Sequence, residues 1–378
     1  MSDSLQQQIH ALLTAFVHQK GSDMFITSGA PISIKVDGKI TALTNEKLTP
    51  DISRHLVEGL MNAKQRQEFN QQHECNFAYQ LTGLSRFRVN AFVQQGHVGA
   101  VIRVINSTIP ELEPLGLPPV LQELIMEKRG LILFVGGTGS GKSTSLAALI
   151  GHRNQHSQGH IITIEDPIEF VHPHAGCIVT QREVGVDTDS YETALKNTLR
   201  QAPDVILIGE IRERDTMEHA IAFAETGHLC LSTLHANNTN QALDRIINFF
   251  PEERRAQLLM DLSLNLRAII SQRLIPKKDG GRVAAIEILI NTPRMADLIF
   301  QGQVDEMKSL IARSREQGMQ TFDQALFDLY EQELISYEDA LRNADSMNDV
   351  RLNIKLNSQH ADPSESTEKT DLSLNQDE

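Results

Sequence analysis

The chain has only three cysteines, Cys75, Cys177 and Cys230, and no C-x-x-C pair. That excludes a disulfide framework or a zinc knuckle as its organising device and fits a reducing compartment. It has no run of about 18 apolar residues, so no membrane insertion is expected. The opening residues, MSDSLQQQIH, lack both a basic n-region and an apolar h-region, so no signal peptide is expected. Positive charge is also short: 49 acidic against 35 basic side chains leave −14 at pH 7. A protein that tracks a phosphate backbone normally carries a basic balance or stripe, so nucleic acid is not an expected partner. The sequence shows no internal repeat at a fixed period, which argues against a solenoid or propeller.

What the chain does carry is a phosphate loop. Gly136-Gly137-Thr138-Gly139-Ser140-Gly141-Lys142-Ser143-Thr144 fits G-x-x-x-x-G-K-[S/T]. The apolar block Leu131–Val135 precedes it at strand length, and Ser145–Ile150 reads as the first turns of a helix. Strand, glycine loop and helix are the context that gives the motif meaning. Glycines let the backbone curl so that N–H groups converge, and the helix N-terminus adds its positive end. Lys142 can then reach the β- and γ-phosphates of a nucleoside triphosphate, and the Ser143 hydroxyl can ligate Mg²⁺.

Further along, each apolar strand ends in a polar or acidic cluster, as expected where the carboxyl ends of a parallel sheet form the site. Val205–Ile208 runs into Gly209-Glu210, which places Glu210 where an acid holds Mg²⁺ through water. Ile161–Ile164 runs into Glu165, Asp166, Pro167 and Glu169. Any of the three acids could orient and deprotonate water, and the residues alone do not choose among them. His228 and His235 bracket the strand Leu229–Leu234, where a core hydrogen-bonding role competes with a catalytic one. His172, His174 and Cys177 are too short of further ligands for a metal and read as a polar loop.

With 378 residues, the chain is long enough for two or three domains. An amphipathic helix over 5–17 opens residues 1–107, followed by short strands, an Asp37-Gly38 hairpin and a helical stretch from Thr49 to about Asn70. Three more strands, 76–81, 86–94 and 99–105, complete a small α+β domain. A proline-rich linker spans 108–119, too rich in proline for a helix. Residues 120–291 alternate strands (131–135, 160–165, 204–209 and 228–234) with helices. A hairpin, 273–276 with 282–290 around Asp279-Gly280-Gly281, closes the sheet. A helical region follows over 292–350, with breaks near Gly302 and Gly318. An acidic tail over 351–378 reads as disordered.

GGTGSGKST, ITIEDPIEF, LIGEIRE and GHLCLSTLH resemble, in order and spacing, the Walker A, Asp box, Walker B and His box of secretion-type hexameric ATPases. GSDMFITSGAPISIKVDGKI and RFRVNAF are similar to the PAS-like domain of the PilT/PilU family of type IV pilus retraction ATPases. FAETGHLCLSTLHANNTNQALDRIINFFPEERR and the acid-rich C-terminal extension resemble the PilU branch more than the PilT branch. The resemblance implies a PAS-like α+β domain followed by a RecA-like core, a homohexamer, and cytoplasmic work at the inner face of the membrane. It implies an inner-membrane pilus platform protein and a PilT-type ATPase as partners. It assigns Glu169 as the water-activating base, Glu210 as the Walker B acid, and His228 and His235 as sensors of the nucleotide state. It makes Arg88 and Arg103 arginines that reach the γ-phosphate of an adjacent subunit. A zinc-binding tetracysteine insert, frequent in assembly and secretion members, is absent, which weighs against pilus extension. Thr292–Phe300 matches poorly the AIRNLIRE-like segment linked to retraction. An accessory subunit acting only with a PilT-type motor therefore stays open beside an independent motor, and a nucleic-acid translocase is the third reading.

Overall fold

A computed structural model describes residues 2–36, 38–105 and 108–360. The chain divides into two compact units. The first comprises Met1–Ile109, Glu165–Pro173 and Gln181–Ala194; the second comprises Pro110–Ile164, His174–Thr180 and Leu195 onward. The expected boundaries were contiguous, whereas two pieces that follow the phosphate loop in sequence group with the N-terminal unit.

The first unit is built from α1 (Ser2–His18), β1 (Asp23–Ile26), β2 (Pro31–Val36), β3 (Lys39–Lys47), α2 (Pro50–Gly59), α3 (Ala63–Gln72), β4 (Glu74–Leu81), β5 (Ser85–Gln94) and β6 (His97–Ile105). Ile9, Leu13 and Phe16 recur at helical spacing along α1 and are buried. The sheet order is β3-β2-β1-β6-β5-β4, with every neighbouring pair antiparallel. Val36 pairs with Lys39, and Gly38 takes the positive φ that the tight turn demands; Asp37 lies outside the described residues. The single helical stretch expected from Thr49 is two helices. Asn62 interrupts it as the N-cap of α3, in a capping box with Gln65.

Along β5, Phe87, Val89 and Ala91 enter the core while Arg86, Arg88 and Asn90 occupy the other face. On that face Arg86 lies 3.9 Å from Glu183 and 3.8 Å from Asp187, and Arg88 Nη2 donates to the Ile168 carbonyl at 3.5 Å. These polar contacts bring the two later segments into the first unit.

The second unit contains α4 (Leu112–Leu115), α5 (Val120–Ile125), β7 (Gly130–Val135), α6 (Lys142–His156), β8 (Gly159–Glu165), β9 (Cys177–Glu183, in part), α7 (Tyr191–Thr198, in part), β10 (Val205–Ile208), α8 (Arg214–Glu225) and β11 (Leu229–Leu234). It continues with α9 (Thr239–Asn248), α10 (Glu252–Asn265), β12 (Leu266–Pro276), β13 (Arg282–Ile290) and α11 (Pro293–Phe300). It ends with α12 (Val304–Arg313), α13 (Phe322–Glu331), α14 (Tyr337–Asn343) and α15 (Met347–Asn357). The sheet order is β13-β12-β7-β11-β10-β8-β9. From β12 to β8 the strands are parallel, and β13 runs antiparallel at the edge. β7, β10 and β11 are buried at every residue, as strands covered on both faces require.

Four features depart from expectation. β9 is an additional strand whose Thr180-Gln181-Arg182-Glu183 stretch carries no apolar signature. β12 starts at Leu266, well before residue 273, because α10 passes straight into it. The proline-rich linker holds the one-turn helix α4; Pro114 is tolerated there because first-turn N–H groups have no intrahelical acceptor. α15 runs to Asn357 with Val350 and Ile354 buried against Phe322 and Leu326, so the tail does not begin at 351. The remainder of the expected disordered tail, 361–378, lies outside the described residues. No helix of the described residues is long and apolar enough to cross a membrane.

Candidate active site

The loop between β7 and α6 is shaped by its glycines. Gly136, Gly139 and Gly141 all have positive φ. A Cβ at Gly136 would stand 2.5 Å from Ser140 Oγ and 2.6 Å from the Gln272 carbonyl, whereas one at Gly137 would meet nothing within 4 Å. The backbone is thus packed against β12 at one glycine and open at the next, a cradle that a side chain would fill. α6 begins at Lys142, so its first free N–H groups lie at this loop. Lys142 is 9% exposed and donates to the carbonyls of Gly136 at 2.8 Å and Gly137 at 2.9 Å. Burial pushes its pKa down, while the nearby Glu210 carboxylate pulls the other way. Ser143 is exposed on the first turn of the same helix.

Glu210 follows β10, and its carboxylate is held at both oxygens. His235 Nε2 lies 2.9 Å from Oε1, and Arg212 Nε donates to Oε2 at 2.7 Å. His235 reaches it because β11 lies between β7 and β10 in parallel, with Leu234 opposite Val135. The same register separates the two histidines. His228 precedes β11 next to Gly130, at the opposite end of six strand residues, about 20 Å from the loop. Its Nδ1 meets Thr226 Oγ1 at 3.1 Å and the Phe223 carbonyl at 3.2 Å, and its own carbonyl accepts from Gly130 N–H. The structure does not bring His228 to the phosphate loop, contrary to the expected pair of sensors; it caps the end of α8.

The acids after β8 belong to the first unit and differ in environment. Glu165 accepts from Gln181 Nε2 at 3.2 Å. The Asp166–Pro167 bond is cis, and Asp166 and Glu169 are exposed. Next to Glu169, the Ile168 carbonyl accepts from Arg88 and the Ile168 N–H donates to Glu183 at 3.3 Å. Burial raises the Glu183 pKa, offset in part by Arg88 and Arg86. Arg88 Nε is buried with no hydrogen-bond partner. Arg103 is exposed and donates from Nε to Asp23 Oδ1 at 2.8 Å.

Two cavities flank the loop within the second unit. One of about 640 Å³ lies beside Gly137 and His235 and reaches Asn237, Gln241 and Arg245. The other, about 550 Å³, lies beside Gly141 and Thr144 and reaches Gln272, Leu274, Lys277 and Arg282. Both fall within the range of about 300–1,000 Å³ usual for ligand sites. Gln272 is a positioning residue that sequence reasoning missed. It is 2% exposed, accepts from Ser145 Oγ at 2.9 Å, and its Nε2 lies 2.7 Å from where a Cβ at Gly141 would fall. Its only sequence signal is the polar Ser271-Gln272-Arg273 inside an apolar strand. Arg212, two residues from Glu210, is a second residue of the site without a motif signal of its own.

No group of three His, Cys, Asp or Glu side chains among the described residues could hold a metal by itself. Magnesium needs less protein, because phosphate oxygens and water complete its shell. The Ser143 hydroxyl and the Glu210 carboxylate, whose remaining lone pairs can accept from metal-bound water, fit such an ion.

A family model for "Type II/IV secretion system protein" matches residues 2–342. The type IV pilus ATPase PilU of Pseudomonas aeruginosa is 62% identical over 353 residues, covering 93% of this chain and 92% of that protein. The type IV pilus retraction ATPase PilT of the same organism is 43% identical, covering 89% of this chain and 98% of PilT. A crystal structure of the pilus retraction motor PilT with bound ADP superposes with a TM-score of 0.83 at 42% identity, over 88% of this chain and 96% of that one. The Legionella pneumophila ATPase DotB superposes at 0.76 with 28% identity, over 89% and 93%. With the phosphate loop, the Glu210–His235 pair and both units covered by these matches, the chain belongs to the type II/IV secretion system protein family.

Proposed function

We propose that this chain is an ATP-hydrolysing motor of the type IV pilus machinery that supports pilus retraction and twitching motility. The observation that carries the reading is the loop geometry: a buried Lys142 turned onto the loop carbonyls, with a Glu210–His235 pair at the end of the neighbouring strands. Phosphate oxygens in that cradle exchange two neutral acceptors of Lys142 for charged ones, and charge-assisted hydrogen bonds are the stronger kind. The second cavity, with Leu274, Lys277 and Arg282, has the apolar and cationic lining suited to a nucleoside.

In this reading Glu169 takes a proton from water as the water oxygen bonds to the γ-phosphorus. The bond from that phosphorus to the bridging oxygen breaks, and ADP keeps the electron pair. His235, tied to Glu210, faces the γ-phosphate and responds to its departure. Ser143, and Glu210 through water, would hold Mg²⁺, which would supply neutralising charge for the phosphate oxygens. Arg88 and Arg103 serve a neighbouring subunit in a homohexameric ring. The ring works in the cytoplasm at the inner face of the membrane, against an inner-membrane platform protein and beside a PilT-type ATPase.

The poor match of Thr292–Phe300, which forms α11 and its N-cap, to the retraction-linked segment supports a second reading, an accessory subunit that adds force only with a PilT-type motor. Two experiments test these readings. Lys142→Ala should abolish ATP turnover while leaving thermal unfolding unchanged, and undiminished turnover would overturn the nucleotide-site reading. Retraction is then scored in cells carrying this chain alone, the PilT-type motor alone, or both. Retraction by this chain alone rejects the accessory reading, and retraction only in the presence of both rejects the independent motor.

A further inference from the structure

Arg273 sits in β12 beside the loop-positioning Gln272, with its guanidinium making three hydrogen bonds on two sides. Nη2 donates to the Asn237 carbonyl at 3.0 Å and to Asp345 Oδ1 at 2.8 Å, and Nη1 donates to the Asn343 carbonyl at 2.8 Å. Its carbon lies 3.9 Å above the ring of Phe322, the first residue of α13. Asp345 is shared with Lys308 of α12 at 3.2 Å, and its N–H is received by Asp323 of α13 at 2.7 Å. One side chain thus ties α12, α13 and the turn between α14 and α15 to one backbone carbonyl in the turn that leaves β11.

That carbonyl belongs to Asn237, two residues beyond His235 in the turn that leaves β11. Ser271 Oγ reinforces the grip on it at 3.3 Å. On the far side of the turn Asn238 caps α9, and the Thr239 N–H is received by the buried Glu287 at 2.7 Å. The segment from His235 to Thr239 is therefore pinned at both ends, by Glu210 at the side chain of His235 and by β12 and β13 at its backbone. A planar fork stacked on an aromatic face can hold two carbonyls and a carboxylate at once; an ammonium cannot reproduce that geometry.

We propose that Arg273 is a positioning residue that sets His235 for the γ-phosphate and links the occupancy of that position to the C-terminal helices. This rests on the reading of the phosphate loop and His235 as the nucleotide site. Arg273 itself touches neither. Whatever displaces His235 on binding or loss of the γ-phosphate pulls on Asn237, and Arg273 transmits the pull to Asn343 and Asp345. By linkage, anything that shifts those helices changes the preference of the site for triphosphate over diphosphate by the same factor.

The test is the ratio of dissociation constants for ADP and a non-hydrolysable ATP analogue, measured by calorimetry on the full chain. Arg273→Lys keeps the charge and the stem but loses the fork. It should leave ADP affinity within about twofold and lower the preference for the ATP analogue by about tenfold, which equals one factor of ten in the coupling. On a His235→Ala background the same substitution should change the ratio by less than about twofold, because non-additivity marks residues acting as a unit. Asp345→Asn, which preserves shape, should shift the ratio in the same direction and serves if Arg273→Lys does not fold. An unchanged ratio in both Arg273→Lys and Asp345→Asn, parallel loss of ADP and analogue affinity, or equal loss on both backgrounds would overturn the proposal. Failure of the unsubstituted chain to bind ADP would instead overturn the nucleotide-site reading on which it rests.

Discussion

Arg88 and Arg103 stand directly opposite each other across β5 and β6, with Asp23 of β1 next in the row beside Arg103. Two like charges facing each other in a sheet repel. Arg103 is compensated by Asp23, and Arg88 by the Ile168 carbonyl and the Glu183 carboxylate. Their partners set their tasks apart. Arg88 also contacts the segment bearing Glu169 of its own chain, whereas Arg103 is the exposed member of the pair.

A ring in which these arginines serve the neighbouring subunit has a measurable signature. Arg103→Ala mixed with Lys142→Ala should regain up to about a quarter of the parental ATPase activity at equal mixing, because an interface works only when an intact loop meets an intact arginine. Arg88→Ala mixed with Lys142→Ala should regain less, since the chain with the intact loop has lost support for its own Ile168. ATPase activity against mixing ratio, with mixed rings confirmed by light scattering, decides the matter. Zero activity at every ratio removes arginines acting in trans.

The three carboxylates should fail in different ways. Glu169→Gln should slow single-turnover hydrolysis by about 100-fold or more while ATP still binds, as loss of a base does. Glu210→Gln should also raise the Mg²⁺ concentration needed for half-maximal rate, because it loosens both His235 and the metal side. Glu165, occupied by Gln181, should tolerate Gln with a loss of less than about tenfold. Severe loss in Glu165→Gln with a mild Glu169→Gln would exchange their roles.

The two histidines bracketing β11 should separate cleanly. His235→Ala should lower turnover by at least about tenfold with little change in thermal stability. His228→Ala should leave the rate constant for hydrolysis within about twofold and cost about 1 kcal/mol of stability through its lost contacts with Thr226 and Phe223. Equal kinetic losses in the two variants would contradict the placement of His228 away from the loop.

His172 ties stability to pH. It is buried, its Nδ1 has no hydrogen-bond partner, and burial lowers its pKa to about 4. Between that value and the unfolded value of about 6.5 the unfolded state binds more protons, so stability rises with pH. The contribution is full above about pH 6.5 and fades as pH falls through 4, a loss of about 3 kcal/mol in all. Glu183, raised by burial, acts in the opposite sense, so the informative quantity is the difference between the parent and His172→Leu. The variant should lose less stability than the parent between pH 7 and pH 4 in chemical denaturation. Parallel curves would show that His172 does not titrate in this window.

The phosphate loop was legible because it is local. Its glycines, Lys142 and Ser143 are defined by spacing within nine residues, and the flanking strand and helix announce themselves by apolar pattern. Glu210 could be placed in the same way, as an acid that follows an apolar strand. The break at Asn62 and the extension of α15 to Asn357 depended on capping and on burial against α13, which a helical pattern does not express. Which histidine meets the loop was decided by the register of β11 against β7, and strand register between distant segments is a property of pairing, not of either strand alone. The same holds for Gln272 and Arg273, since Ser271 opposite Val135 brings the next residues of β12 beside the loop. The grouping of Glu165–Pro173 with the N-terminal unit rests on Arg86, Arg88 and Glu183, side chains nearly a hundred positions apart in the chain. Local pattern therefore determined the nucleotide chemistry, and tertiary pairing decided which side chains surround it, because long-range contacts follow from packing geometry that no short window of residues contains.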